Sequence, residues 1–165
     1  MLAAIFKWLF IAIVVLAVAA VLAGQLGLLR GTPPGDLGVR EGKLKRLSKT
    51  PNCVSSQADL WPGDAQQSYA RIAPLALVGS GPQTLQRLQA IVQATPGAVV
   101  VKAESNYLYA TFTTRLMKDT DDVEFWFDPA AQVVQVRSAS RLGRKDLGAN
   151  RARVEALRAG LLAKP

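Results

Sequence analysis

Apolar and polar positions fall into three regimes along this chain. From Trp8 to Leu29, 22 residues run without a formal charge. At ~1.5 Å per residue that is roughly 33 Å of helix, enough to cross a ~30 Å hydrocarbon core. Lys7 and Trp8 at one end and Arg30 at the other are typical interfacial anchors. Residues 1–29 are therefore predicted to be a single-pass transmembrane helix, a signal anchor. A cleaved signal peptide is the competing reading, since Val21-Leu22-Ala23 resembles a cleavage site and Lys7 a short basic leader. The apolar run continues through Leu26, Leu28 and Leu29, long for a signal sequence, and this favours the uncleaved anchor.

Residues 30–60 read as a basic, Pro/Gly-rich linker. Gly31-Thr32-Pro33-Pro34-Gly35 cannot hold a helix, and the charged stretch after it has no clear period. Residues 61–81 stay polar and Gly/Pro-punctuated, apart from an apolar island at Leu75 to Val78 that could add an edge strand.

From Pro82 the pattern sharpens. Pro82 suits the first turn of a helix capped by Ser80 or Gly81. Leu85, Leu88, Ile91 and Val92 share one helical face, and Thr95-Pro96-Gly97 ends it. Two runs follow, Ala98 to Glu104 and Tyr107 to Thr114, joined by a Ser105-Asn106 turn. With Glu104 opposite Tyr107, the predicted inner face carries Val99, Val101 and Ala103 with Leu108, Ala110 and Phe112. The second pair is Asp122 to Asp128 and Val133 to Leu142, with Asp128-Pro129 opening the turn. The register that sets Phe127 against Val134 also sets Phe125 against Val136 and Glu124 against Arg137, so apolar and charge matching agree. A last helix spans about Ala149 to Leu161, with Val154, Leu157 and Leu161 inward.

Residues 61–165 are thus expected to be an α+β domain: a four-stranded antiparallel sheet in α-β-β-β-β-α order, with the helices on one face. The opposite face would display Lys102, Tyr107, Tyr109, Glu124, Trp126 and Arg137.

Composition narrows the chemistry. The 165 residues include no histidine and one cysteine, which excludes a histidine-based triad, a His-ligated zinc, an intramolecular disulfide and a CxxC motif. There are 20 Lys and Arg residues against 12 Asp and Glu, and all but Lys7 of the basic ones follow the apolar run. Arg40, Lys43, Lys45, Arg46 and Lys49 form a juxtamembrane basic stretch suited to anionic lipid headgroups, or simply a solvated linker. No helix-turn-helix, zinc-finger or RNP pattern accompanies the charge, so nucleic acid is not an expected partner. The positive-inside rule, applied to these flanks, places the domain in the cytoplasm.

The densest polar cluster is Arg137, Ser138, Ser140, Arg141, Asp146, Asn150 and Arg151. One reading is an anion site in which Arg141, Arg151 and the N–H groups near Asn150 hold phosphate or carboxylate. The other has Asp146 and Asn150 capping the last helix while Arg137 and Arg141 pair with Glu124 and Asp122. Arg137 and Arg141 are spaced roughly 13 Å apart along a strand at ~3.3 Å per residue, too far to clamp one small anion unless the strand bends. Tyr107, Tyr109 and Trp126 either form an exposed contact face for lipid, peptide or protein, or lie beneath residues 61–81. Asp121, Asp122, Glu124 and Asp128 alternate along a strand rather than converge, so no metal and no other cofactor is expected. Cys53 reads as a packed side chain, with an intermolecular disulfide as the alternative in an oxidising compartment.

PNCVSS (51–56), TDDVEFWFD (120–128) and VRSASRLGRKDLGANRARVEALR (136–158) resemble the bacterial and plastid domain-of-unknown-function family 1499, over about residues 50 to 160. The family has no established activity. Its members often carry an export or anchor segment, so the resemblance implies a domain on the periplasmic or lumenal side, against the flanking charge. The resulting expectation is a membrane-anchored accessory or binding domain for an anionic or amphipathic envelope ligand or a partner protein. The candidate ligand-binding residues are Arg137, Arg141, Asp146, Asn150, Arg151, Tyr107, Tyr109 and Trp126. The alternative is a hydrolase or transferase on an anionic envelope substrate, with Asp122 or Asp146 as base and Arg137 or Arg141 holding the anion.

Overall fold

Residues 1–163 are described by a computed structural model. Helix α1 (Leu2–Gln25) is apolar around its circumference apart from Lys7 and Gln25, has a mean hydropathy of 2.8 over an 18-residue stretch, and is exposed along most of its length, with Gly24 buried at its foot. It is long and apolar enough to cross a membrane, a property that a signal sequence near the N-terminus shares. Its foot rests on the rest of the chain. The Gln25 amide donates to the carbonyls of Arg115 and Leu116 at 3.3 and 2.9 Å. Gly24 lies so near Met117 that a Cβ there would fall 2.3 Å from the Met117 carbonyl oxygen, which is why a residue without a side chain occupies the contact.

The sheet has five antiparallel strands, not the expected four. Their order is β1 (Cys53–Ser55), β5 (Val133–Ser140), β4 (Thr120–Asp128), β3 (Tyr107–Thr113), β2 (Ala98–Ala103). The additional strand comes from the stretch read as linker. Only three residues long, it pairs Cys53 with Ala139 and Ser55 with Arg137. Leu75, in the apolar island, makes an antiparallel bridge to Val134 farther along the same edge.

The β4–β5 register has Phe127 opposite Val134, Phe125 opposite Val136 and Glu124 opposite Arg137, as the matching of side chains predicts. The β2–β3 pair differs from expectation. A bulge between Val100 and Lys102 turns Ala98 and Val100 to the core and leaves Val99 and Val101 60% and 55% exposed. The bulge twists an edge strand, a device that hinders pairing with another chain.

Helices α3 (Gly81–Ala94) and α4 (Ala149–Leu162) cover one face. Leu85, Leu88 and Val92 meet Val154, Leu157 and Leu161 over Leu108, Val123, Phe125, Val134 and Val136. Ser80 caps α3 in a reciprocal box with Gln83, and Pro82 stands in its first turn. A four-residue helix, α2 (Gln67–Ala70), belongs to a small satellite cluster of Leu47, Ala58, Ala70 and Trp61.

Residues 30–60 are not a detached linker. Leu44, Leu47, Cys53, Val54 and Ala58 are all buried. Segment 36–47 lies as a strap across the other face of the sheet, where Leu44 and Val39 pack on Tyr107, Tyr109 and Trp126. The aromatic face is therefore covered, but by this strap rather than by residues 61–81.

Candidate functional site

The strap closes over a ladder of tyrosines, carboxylates and arginines. Tyr107 donates its hydroxyl to Glu124 at 2.8 Å, and the backbone N–H of Gly38, on the strap, donates to the same oxygen at 2.7 Å. One rung along, Tyr109 donates to Asp122 at 2.6 Å. Arg141 donates to both Asp122 oxygens, at 2.9 Å from Nε and 2.8 Å from Nη2. The alternation that sets these residues on the face opposite the core is also what forces them to pair, since the strap removes them from water.

Burial sets their protonation. It pushes the Tyr107 hydroxyl far above the usual phenol range, with Glu124 adding to the effect. Tyr109 is pushed up to about 12, again mainly by burial, with the Asp122 hydrogen bond next. Burial also raises the Glu124 carboxyl, against the opposing pull of the Gly38 N–H, Arg137 and Tyr107. The hydrogen bond to Asp122 raises Arg141 further, so its guanidinium stays charged.

Arg137 is 3% exposed and incompletely matched. Its Nε donates to the Arg46 carbonyl at 3.3 Å, while Nη1 stands 3.7 Å from Glu124 Oε2, beyond hydrogen-bond reach. Neither terminal nitrogen donates a hydrogen bond among the described residues. Arg137 and Arg141 both line a cavity of about 390 Å3 between the 45–52 segment and the end of β5. Arg141 lies one residue past the end of β5, and its guanidinium is committed to Asp122. Lys45 and Lys49 add charge to the wall. Lys45 pairs with Asp36 at 2.5 Å, whereas exposed Lys49 has no ion pair among the described residues.

Asn52 completes the wall. Its Nδ2 donates to the Gly143 carbonyl at 2.8 Å, which fixes the orientation of the amide. Its Oδ1 is buried and receives no hydrogen bond from the described residues. A buried acceptor left this way costs about 1–3 kcal/mol, a cost that a donor on a ligand would remove.

The remaining candidates lie elsewhere. Tyr107 and Trp126 are buried under the strap, outside the cavity. Asp146 caps α4: its carboxylate accepts from the N–H groups of Gly148 and Asn150 at 3.1 and 3.0 Å and from the Tyr69 hydroxyl. Burial works against the Asp146 charge, but the hydrogen bonds from Tyr69, Asn150 and Gly148 outweigh it and hold the carboxyl below its usual range. Asn150 is not the second cap that the capping reading predicts. Fully buried, it accepts from Ser138 and donates to the Asn52 carbonyl, tying α4 to the sheet edge. Arg151 points away from Arg141 and donates to the carbonyls of Tyr69 and Arg71. The anion-site reading, which groups Arg141, Arg151 and the α4 N-terminus around one anion, does not describe this arrangement, because the Asp146 carboxylate already occupies that terminus.

Asn52 and Arg153 were missed as polar organisers. Arg153 pairs with Asp121, bonds Ser138 and Asn150, and lies 4.9 Å over the Phe112 ring. Asn52 carried one signal, its place in the PNCVSS motif. Asp121 faces α4 while Asp122 and Glu124 face the strap, so the acidic run divides between two faces. Cys53 is 2% exposed on β1.

The basic stretch is folded rather than loose. Arg40 and Lys43 close the strap's turn, and Arg46 stacks 5.2 Å from the Trp61 ring while pairing with Asp64.

A family model described as a protein of unknown function (DUF1499) matches residues 43–161. No curated protein and no solved structure matches the chain.

Proposed function

This chain belongs to the DUF1499 family, and we propose that its folded part is a membrane-anchored binding domain for an anionic ligand that also carries a hydrogen-bond donor. A phosphate-bearing headgroup with a hydroxyl or an amine has that chemistry. The observation that carries the reading is the Asn52–Arg137 wall: an unsatisfied acceptor and a guanidinium with uncommitted donors, both buried, both lining one cavity. Arg137 and Lys49 supply the anion contacts, and Asn52 Oδ1 accepts from the donor group. Asp122 and Asp146 already have their oxygens engaged, which supports binding over proton abstraction by either.

In this reading α1 is an uncleaved anchor. The apolar run through Leu29 and the contacts of Gly24 and Gln25 with the 115–117 loop support it. Reporters fused after Pro165 assign the side of the membrane, with export activity expected from the family resemblance and cytoplasmic activity from the flanking charge.

Titration calorimetry of the full chain in detergent, with glycerol phosphate as probe, tests the site. Saturable binding is expected, weakened roughly fivefold by Lys49→Glu and less by Arg40→Glu, which lies outside the cavity. Equal loss in the two variants would reduce the interaction to general charge attraction and overturn the site.

A further inference from the structure

One end of the sheet gathers exposed leucines and unpaired cations beside the foot of α1. The β3–β4 loop (114–119) and the β5–α4 loop (141–148) both emerge at this end, where Thr113 stands opposite Thr120 and Asp121 opposite Ser140. Leu116 and Leu142 are 60% and 46% exposed, and Leu147 is 95% exposed. Leu147 also has a φ of 52°, a left-handed conformation that costs a residue with a Cβ on the order of 1 kcal/mol. Nothing in the fold gains from holding a leucine out of the protein at that cost.

The depth of these loops follows from α1. Gln25 bonds the carbonyls of Arg115 and Leu116, and the apolar run continues beside them through Leu29. A loop in contact with residues 24–25 therefore cannot stand farther from the bilayer than the last apolar residues of the span. Leu29, Leu142 and Leu147 line one cavity of about 460 Å3 between the foot of the helix and the two loops, together with Lys145, Asp119 and the Asp146 that caps α4. Arg30, Arg115, Arg144 and Lys145 are exposed around it and make no ion pair among the described residues.

We propose that this end of the domain is seated in the headgroup layer of an anionic membrane, with Leu116, Leu142 and Leu147 reaching the acyl boundary and the surrounding cations contacting lipid phosphates. Leucines that dip below the headgroups, ringed by Arg and Lys, match the charge and polarity profile of such a surface. The inference rests on α1 being a retained span. It differs from the ligand cavity in its residues and in its partner, which is the bilayer rather than a soluble anion.

The test uses the full chain in vesicles of mixed anionic and zwitterionic lipid carrying a headgroup-depth nitroxide quencher. A single fluorophore is placed at Leu147→Cys, at Leu116→Cys, or at Ser105→Cys, which lies in the exposed β2–β3 turn at the opposite end of the sheet. The native thiol, Cys53, is buried. The account expects co-flotation of the chain with the vesicles and quenching at 147 and 116 several-fold greater than at 105. Co-flotation with equal quenching at all three positions would overturn the seated surface while leaving the anchor standing. A chain that fails to float would overturn the anchor itself, and the inference with it.

Discussion

Arg141 grips Asp122 with two guanidinium nitrogens on a carboxylate whose side chain is only 2% exposed. Arg141 stands one residue beyond β5 and reaches back to Asp122 within β4, holding one end of the polar ladder closed. Removing one partner of such a pair strands the other charge in a poorly solvated place, at about 3–5 kcal/mol. Asp122→Ala is expected to lose stability in that range by urea denaturation. Tyr109→Phe, which removes one hydrogen bond and leaves the ion pair, is expected to lose about 1 kcal/mol.

Glu124 gives a pH dependence whose sign is fixed by its environment. Burial raises its carboxyl in the folded state, so the protonated form is the better accommodated one. Its contribution is full below the unfolded carboxyl value and is lost as pH rises through the folded one. The stability of the native chain relative to Glu124→Gln should therefore decline from pH 4 toward neutrality. Paired denaturant titrations across that interval measure it directly.

Asp146 has the opposite sign. Its carboxyl is held low by Tyr69 and the N–H groups at the start of α4, so its contribution is present above the usual carboxylate value and lost as pH falls through the folded one. Asp146→Ala is expected to destabilise by about 1–2 kcal/mol at neutral pH, the cost of losing a helix cap. The difference should vanish in strong acid.

How much of this was legible in the sequence depends on how many independent constraints each segment carried. The β4–β5 register was readable because Phe125, Phe127, Glu124 and Arg137 all favoured one alignment. In β2 the run Val99-Val100-Val101 satisfies either face, so the bulge left no trace in the pattern. The strap was hidden because Leu44 and Leu47 stand singly among charges, with no period to declare a buried side. At three residues, β1 is too short to show alternation. The ladder pairs Glu124–Arg137 and Asp122–Arg141 were readable as cross-strand charge matches. The cavity was not, because its wall joins Asn52 to Arg137 across 85 positions of sequence.

Gly24 gives a mechanical prediction. A side chain there would collide with the Met117 backbone oxygen, which cannot swing aside as a flexible side chain would. Gly24→Val should lift α1 from the 115–117 loop and raise amide hydrogen exchange in that loop, with the exchange of β4 and β5 unchanged. Protection equal to that of the native chain would show that the helix foot is not docked there.

The central claim is that Arg137 holds the anionic group of a ligand whose hydrogen-bond donor is accepted by Asn52 Oδ1. The most direct measurement is the side-chain nitrogen–proton spectrum of the full chain in a membrane mimetic during titration with glycerol phosphate. The Arg137 Nε–H and Asn52 Nδ2–H signals should move together and saturate at the same concentration, and uncharged glycerol should leave both in place. Shifts confined to Arg40 and Lys43, with Arg137 and Asn52 unmoved, would contradict the account.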